Sequence, residues 1–190
     1  MTLKLKIIIA STRPGRKGPI VASWVDSFAR EFGKFDVELV DLAELDLPIL
    51  DEPNHPAMHK YQHDHTKRWS AIATDADAFV FVTPEYDYFP PAGLINAIQC
   101  LHAEWKYKAA SIVSYGGVSA GLRGTQELRL LLSNLGVMAI QQTVPIPFFT
   151  QFIGEDGAFT PNEPMLEGIK GVFNELHKWA TALKPMRAAS

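Results

Sequence analysis

The chain has 190 residues, 47% hydrophobic and 21% charged, the make-up of a globular protein long enough to bury one sizeable core. A formal net charge of −3 argues against the basic field of a nucleic-acid or membrane-surface binder, and against the strong acidity of a small electron carrier that docks by steering. Cys100 is the one cysteine, so no internal disulfide framework exists, and no apolar run reaches membrane-spanning length.

The first element expected is a strand over Leu3–Ala10, whose apolar start carries Lys4 and Lys6 rather than a signal pattern. A loop of hydroxyls, glycines and cations follows, and then a helix with Ile20, Val21, Trp24, Val25, Phe28, Ala29 and Phe32 on one stripe. Phe35–Leu42 alternates like a strand nearer a sheet edge. A Pro-rich connection leads to a polar helix from about Met58 to Ala76, on which His59 and His63 would share a face. Ala78–Thr83 reads as a buried central strand, Ala92–Ala103 as a helix and Ala109–Tyr115 as another buried strand. Ala120–Leu135 is expected to be helical, Val137–Val144 to be a last strand, and Pro164–Leu183 to close as an amphipathic helix.

Strands and helices alternate throughout, which predicts one α/β domain over residues 1–190. The expected architecture is a flavodoxin-like, doubly wound, five-stranded parallel sheet of order 2-1-3-4-5 with helices on both faces. Ligands of such sheets bind beyond the carboxyl ends of the strands, so the loops after strands 1, 3 and 4 are where chemistry is expected.

Those loops are unusual. The first holds Ser11, Thr12, Arg13, Arg16 and Lys17 before Gly18, Pro19 and Ile20 open a helix. Hydroxyl donors, cations and unpaired N–H groups at a helix start suit a phosphate. It lacks the spacing of a Walker loop or of G-x-G-x-x-G. The second runs Pro84, Glu85, Tyr86, Asp87, Tyr88, Phe89, Pro90, and its aromatic rings call for a planar ligand or a partner chain. The third runs Ser114, Tyr115, Gly116, Gly117 to Arg123, and its paired glycines let backbone N–H groups approach a ligand. A nucleotide with a flat, heteroatom-rich ring satisfies all three.

Together the three loops resemble the NAD(P)H-dependent FMN reductase family. The family's G-S-x-R is matched by Ser11, Thr12 and Arg13, with Arg16, Gly18 and Ile20 completing the turn. Its P-E-Y-N motif and the following helix are matched by Pro84, Glu85, Tyr86, Pro90, Leu94, Asn96, Ala97 and Ile98. Its S-x-G-G-x-x-G-G-x-R is matched by Ser114, Gly116, Gly117, Gly121 and Arg123. The chain departs from the pattern with Ala10 for Gly, Asp87 for Asn, the pair Tyr88 and Phe89 for small or polar residues, Ile95 for Lys and Gln99 for Asp.

The resemblance implies a noncovalent FMN with its phosphate on the first loop, its ring against the second and its pyrimidine edge facing the third. It also implies NAD(P)H as co-substrate, with NADPH favoured, and ping-pong hydride transfer through flavin N5 to a quinone, azo compound, metal ion or flavin. No obligate side-chain acid or base is implied. Backbone N–H groups near Glu85–Asp87 and Gly116–Gly117 would bond the ring, and Arg123 could hold pyridine-nucleotide phosphate. A homodimer or dimer of dimers would bury Tyr88, Phe89 and Trp105. The other expected partner is a small-molecule electron acceptor, with neither nucleic acid nor membrane, in the cytoplasm. The alternatives are a flavodoxin-like electron carrier or redox sensor with little turnover, and a flavin-free scaffold.

Other residues have plainer readings. The histidines near 55–65 read as a solvated helix start with no metal site, and Cys100, Trp24, Trp69 and Trp179 as core. Asn96 reads as a satisfier of buried backbone groups.

Overall fold

The computed structural model describes residues 2–188. Strand β1 (Leu3–Ile9) lies between β2 (Phe35–Asp41) and β3 (Ala78–Pro84), and β3 pairs with β4 (Ala109–Tyr115). All pairs are parallel, and the order β2-β1-β3-β4-β5 matches the expectation. β3 and β4 are buried along their whole length, as continuous apolar runs in a covered parallel sheet must be.

Helices α1 (Gly18–Phe32) and α6 (Glu163–Ala188) cover one face, where Val21, Val25, Ile169, Val172 and Phe173 meet Leu5, Ile7 and Val80. The other face carries α2 (Leu42–Leu45), α3 (Asp64–Asp75), α4 (Ala92–Gln99) and α5 (Leu122–Asn134), packed around Trp69, Phe79, Phe81 and Trp105.

The last strand differs from the expected single run. It divides into β5 (Met138–Ala139) and β6 (Val144–Ile146), both paired with β4, making a six-stranded sheet. Arg129 is the physical reason: its guanidinium donates to the carbonyls of Ala139 (3.0 Å), Ile140 (2.6 Å) and Gln141 (2.9 Å). Ser111 takes the Gln142 carbonyl at 2.9 Å, so the backbone between the two short strands is drawn off the ladder.

The helix expected from Met58 is also shorter. Residues Pro56–Met58 form a 3₁₀ turn closed by left-handed His59, and α3 starts after His63, so those two histidines share no helix face. Trp105 is fully buried, donating to the Ile98 carbonyl at 3.0 Å, and is core rather than an interface anchor. Trp179 is instead exposed, whereas Trp69 and Cys100 are core as expected. Trp24 is half-buried against Phe159. Asn96 ties down the Pro-rich connection at a half-exposed position, accepting from Leu50 N–H (2.9 Å) and donating to the Pro48 carbonyl (2.7 Å).

Candidate active site

β1 carries the first loop to the carboxyl end of the sheet, and α1 leaves it. Lys17 stands at the N-cap of α1 but gives no side-chain cap; Pro19 carries no N–H and Ile20 N–H donates to the Lys17 carbonyl at 3.1 Å, so the Gly18 N–H is what the start of this 15-residue helix leaves open. Ser11 is buried beneath it, and its hydroxyl has no partner among the described residues. Gly18 is needed for this close approach: a Cβ there would stand 2.3 Å from Ser11 Oγ and 2.7 Å from the Tyr115 hydroxyl.

The four cations predicted for anion binding divide into two kinds. Arg16 forks onto Asp41 with two bonds of 2.6 Å and donates to the Ser11 carbonyl at 2.9 Å, so it straps the loop to the end of β2. The expectation that Arg16 grips phosphate is corrected accordingly. Arg13 makes only a local bond to the Pro14 carbonyl, and it lines the cleft beside Lys17.

The second loop is a tight hairpin in which Tyr86 and Phe89 exchange N–H···O bonds of 2.9 and 3.0 Å. Asp87 (φ 49°) and Tyr88 (φ 77°) at its tip are both left-handed, a conformation that Asn-Gly adopts more cheaply. Glu85 holds this hairpin to the third loop. Its buried carboxylate accepts from Arg123 N–H (3.0 Å), Gly124 N–H (3.2 Å) and the Ser119 hydroxyl (3.2 Å), and pairs with the Arg123 guanidinium. Burial opposes its ionisation, yet the bonds from Arg123 and Gly124 hold the Glu85 carboxyl below the usual range. Arg123 also lies 3.9 Å over the Tyr88 ring, so it clamps loop to loop and its expected role as a phosphate ligand is withdrawn.

The third loop leaves β4 at Tyr115. A Cβ on Gly117 would meet nothing within 4 Å, whereas one on Gly116 would stand 3.3 Å from the Gly121 nitrogen. Ser114 is fully buried beneath Gly121 with its hydroxyl unpartnered. The Gly116 and Gly117 carbonyls accept from Phe149 N–H (3.4 Å) and Phe148 N–H (3.2 Å), which brings a fourth loop to the site.

The result is a cleft of about 300 Å³ lined by Ser11, Arg13, Arg16, Lys17, Pro84, Glu85, Tyr86, Tyr115, Gly116 and Gly117, with Phe148, Phe149 and Thr150 as its further wall. Nine residues singled out from the sequence as cofactor contacts line it together. Gly18 and Ser114 lie beneath it, Asp87 sits on the exposed hairpin tip, and Arg123 is paired to Glu85. Thr12 turns to a groove with Leu42 and Gly93, and Pro19 and Ile20 face Trp24 and Phe159. Phe148, Phe149 and Thr150 were missed. Two prolines followed by two phenylalanines at the carboxyl end of the last strand were the signal for them.

The donor set fits FMN: buried hydroxyls, the open Gly18 N–H and the nearby cations Arg13 and Lys17 suit a phosphate ester, and Tyr86, Phe148 and Phe149 line the cleft with rings suited to a flat ligand. Residues 3–151 match the model of the NADPH-dependent FMN reductase family. The chain belongs to that family and is, with it, an oxidoreductase.

An NAD(P)H-dependent FMN reductase of Schizosaccharomyces pombe is 42% identical over 123 residues, 64% of this chain and 62% of that relative. One of Saccharomyces cerevisiae is 34% identical over 164 residues, 76% of this chain and 85% of the relative. A flavoenzyme NAD(P)H:(acceptor) oxidoreductase of Paracoccus denitrificans shares the fold at TM-score 0.75 and 20% identity, covering 95% of this chain and 98% of that one. Among the described residues no group of three or more His, Cys, Asp or Glu could hold a metal, and no helix is long and apolar enough to cross a membrane.

Proposed function

We infer that this chain binds FMN noncovalently and transfers reducing equivalents from NAD(P)H to a small-molecule acceptor. The observation that carries this reading is the pair of unpartnered hydroxyls, Ser11 and Tyr115, set under the open start of α1 at the closed end of an aromatic slot. FMN, when bound, supplies the hydride chemistry that couples the pyridine nucleotide to the acceptor.

The residues would bind and orient. Ser11, Arg13, Lys17 and the Gly18 N–H would hold the phosphate. Pro84, Tyr86 and Phe149 would flank the ring, and the open backbone at Gly117 would stabilise negative charge developing on its edge. Side-chain acid–base chemistry is not required: Glu85 is committed to Arg123 and the α5 start, and Arg16 to Asp41. One mouth would serve reductant and acceptor in turn, a ping-pong order, with quinones, azo compounds, metal ions or flavins as acceptors.

Arg13 and Lys17 are the cations left to favour NADPH over NADH. Tyr88, Phe89 and Phe148 are 59%, 52% and 50% exposed around the cleft, a surface suited to a homodimer in a cytoplasmic enzyme. The test is anaerobic mixing of the purified flavoprotein with NADH or NADPH. Bleaching of the flavin band followed by reoxidation with a quinone is expected. Protein that takes up no FMN, or bound flavin that neither nucleotide reduces, would refute the reading.

A further inference from the structure

The third loop was expected to face the ring, yet its Tyr115 side chain turns toward the first loop. The residue ends β4, is 3% exposed, and its hydroxyl has no partner among the described residues. The space that a Cβ on Gly18 would fill lies 2.7 Å from this hydroxyl and 2.3 Å from Ser11 Oγ. A hydroxyl from the first loop and one from the end of β4 therefore converge under the first residue of α1, and both residues line the cleft.

Packing does not explain the oxygen. The Tyr115 ring packs at a tilt against Phe149 with centroids 4.8 Å apart, a contact that phenylalanine would make equally well. A buried donor left unbonded costs stability, and native structures rarely tolerate one without a use for it. Burial pushes the phenol up to about 12, so it carries its proton and donates. The group closest to it in character is the Ser11 hydroxyl, and a bond between the two would use one of their two protons and leave the other without an acceptor. Arg16 and Arg13 of the first loop also act on the phenol, and neither accepts a hydrogen bond.

We propose that the Tyr115 hydroxyl is a specificity-determining phosphate donor: with Ser11 it reads the 5′-phosphate and selects FMN over unphosphorylated riboflavin. The proposal rests on the FMN reading and adds to it a donor from β4 that ties the third loop to the phosphate end.

The test titrates wild type, Tyr115→Phe and Ser11→Ala, each stripped of flavin, with FMN and with riboflavin, following flavin fluorescence, with the apoprotein melting temperature as a control. Losing one donor to a charged group should weaken FMN about tenfold or more in each variant and leave riboflavin within about twofold. The apo Tyr115→Phe protein should melt close to wild type, because at most a bond shared with the Ser11 hydroxyl is lost, while its gain in Tm from FMN should shrink. Unchanged FMN affinity in Tyr115→Phe, or equal losses for FMN and riboflavin, would overturn the proposal alone. Wild type that binds neither flavin would overturn the FMN reading and the proposal with it.

Discussion

Both ends of the sheet hold paired charges, but they differ in their buried hydroxyls. At the amino end, buried charges are matched by partners. Glu104 accepts from Ser70 (2.6 Å), Tyr61 (3.2 Å) and His102 N–H (3.1 Å), with His59 Nε2 at 3.2 Å. Asp77 takes Lys4 N–H (2.9 Å), Lys184 (2.8 Å) and Arg187. Lys6 pairs with Glu38 and Asp75, and Lys108 donates to the Ala73 and Thr74 carbonyls at the end of α3. At the carboxyl end the buried oxygens of Ser11, Ser114 and Tyr115 have no partner among the described residues. The difference separates groups that stabilise the fold from groups held ready for a ligand, since each unmet buried donor costs stability that a bound anion returns.

Four substitutions test that contrast. The largest effect is expected at the amino end, where Glu104→Leu leaves its buried donors without an acceptor. A loss of about 3 kcal/mol, or roughly 6–12 °C in Tm, should appear in thermal melts, with FMN affinity kept within about twofold because the site is distant. Gly18→Val should do the reverse. Filling the space beside Ser11 and Tyr115 is expected to weaken FMN about a hundredfold, roughly 2.7 kcal/mol, in a fluorescence titration.

Arg13→Ala should weaken FMN about tenfold, and the deficit should narrow as salt rises, since an exposed cation is screened. Affinity equal to wild type at low salt would place the phosphate elsewhere.

Lys108 gives the smallest effect and a sign that can be checked. Burial first, and then the Arg187 charge, lower its pKa to about 7. The unfolded chain takes up this proton below its ordinary value of 10.5, and the folded chain only below about 7. Between those values the unfolded state binds more protons, so stability should rise with pH. Wild type should gain about 1 kcal/mol, roughly 2–4 °C in Tm, from pH 7 to 8 relative to Lys108→Met. Parallel pH profiles would show that the ammonium is charged in the folded protein throughout.

The order of the sheet was legible because long apolar runs such as Ala78–Thr83 and Ala109–Tyr115 admit little but buried parallel strands, and the crossover rule then limits the topology. The last strand was misread because Val137–Val144 carries the right residue types, while Arg129 on α5 takes carbonyls that the ladder would have used. The helix expected from Met58 failed on a similar local point, since left-handed His59 closes a single turn. Asp87 and Tyr88 show the converse: nothing in their identity favours two successive left-handed residues, and the Tyr86–Phe89 pairing together with Arg123 imposes them.

The sequence by itself determined the fold and the place of the site. Periodicity and turn chemistry are local properties, and three distinctive loops at strand ends meet wherever a parallel sheet brings those ends together. Which cations are free was decided only by tertiary structure. Arg13 and Arg16 look alike in a list of residues, but Asp41, at the end of the neighbouring strand, claims one and leaves the other. Glu85 claims Arg123 in the same way, and Tyr115 crosses from β4 to stand beside Ser11. A charge or a hydroxyl is available to a ligand only when no partner in the fold has taken it, and those partners come from elements remote in sequence.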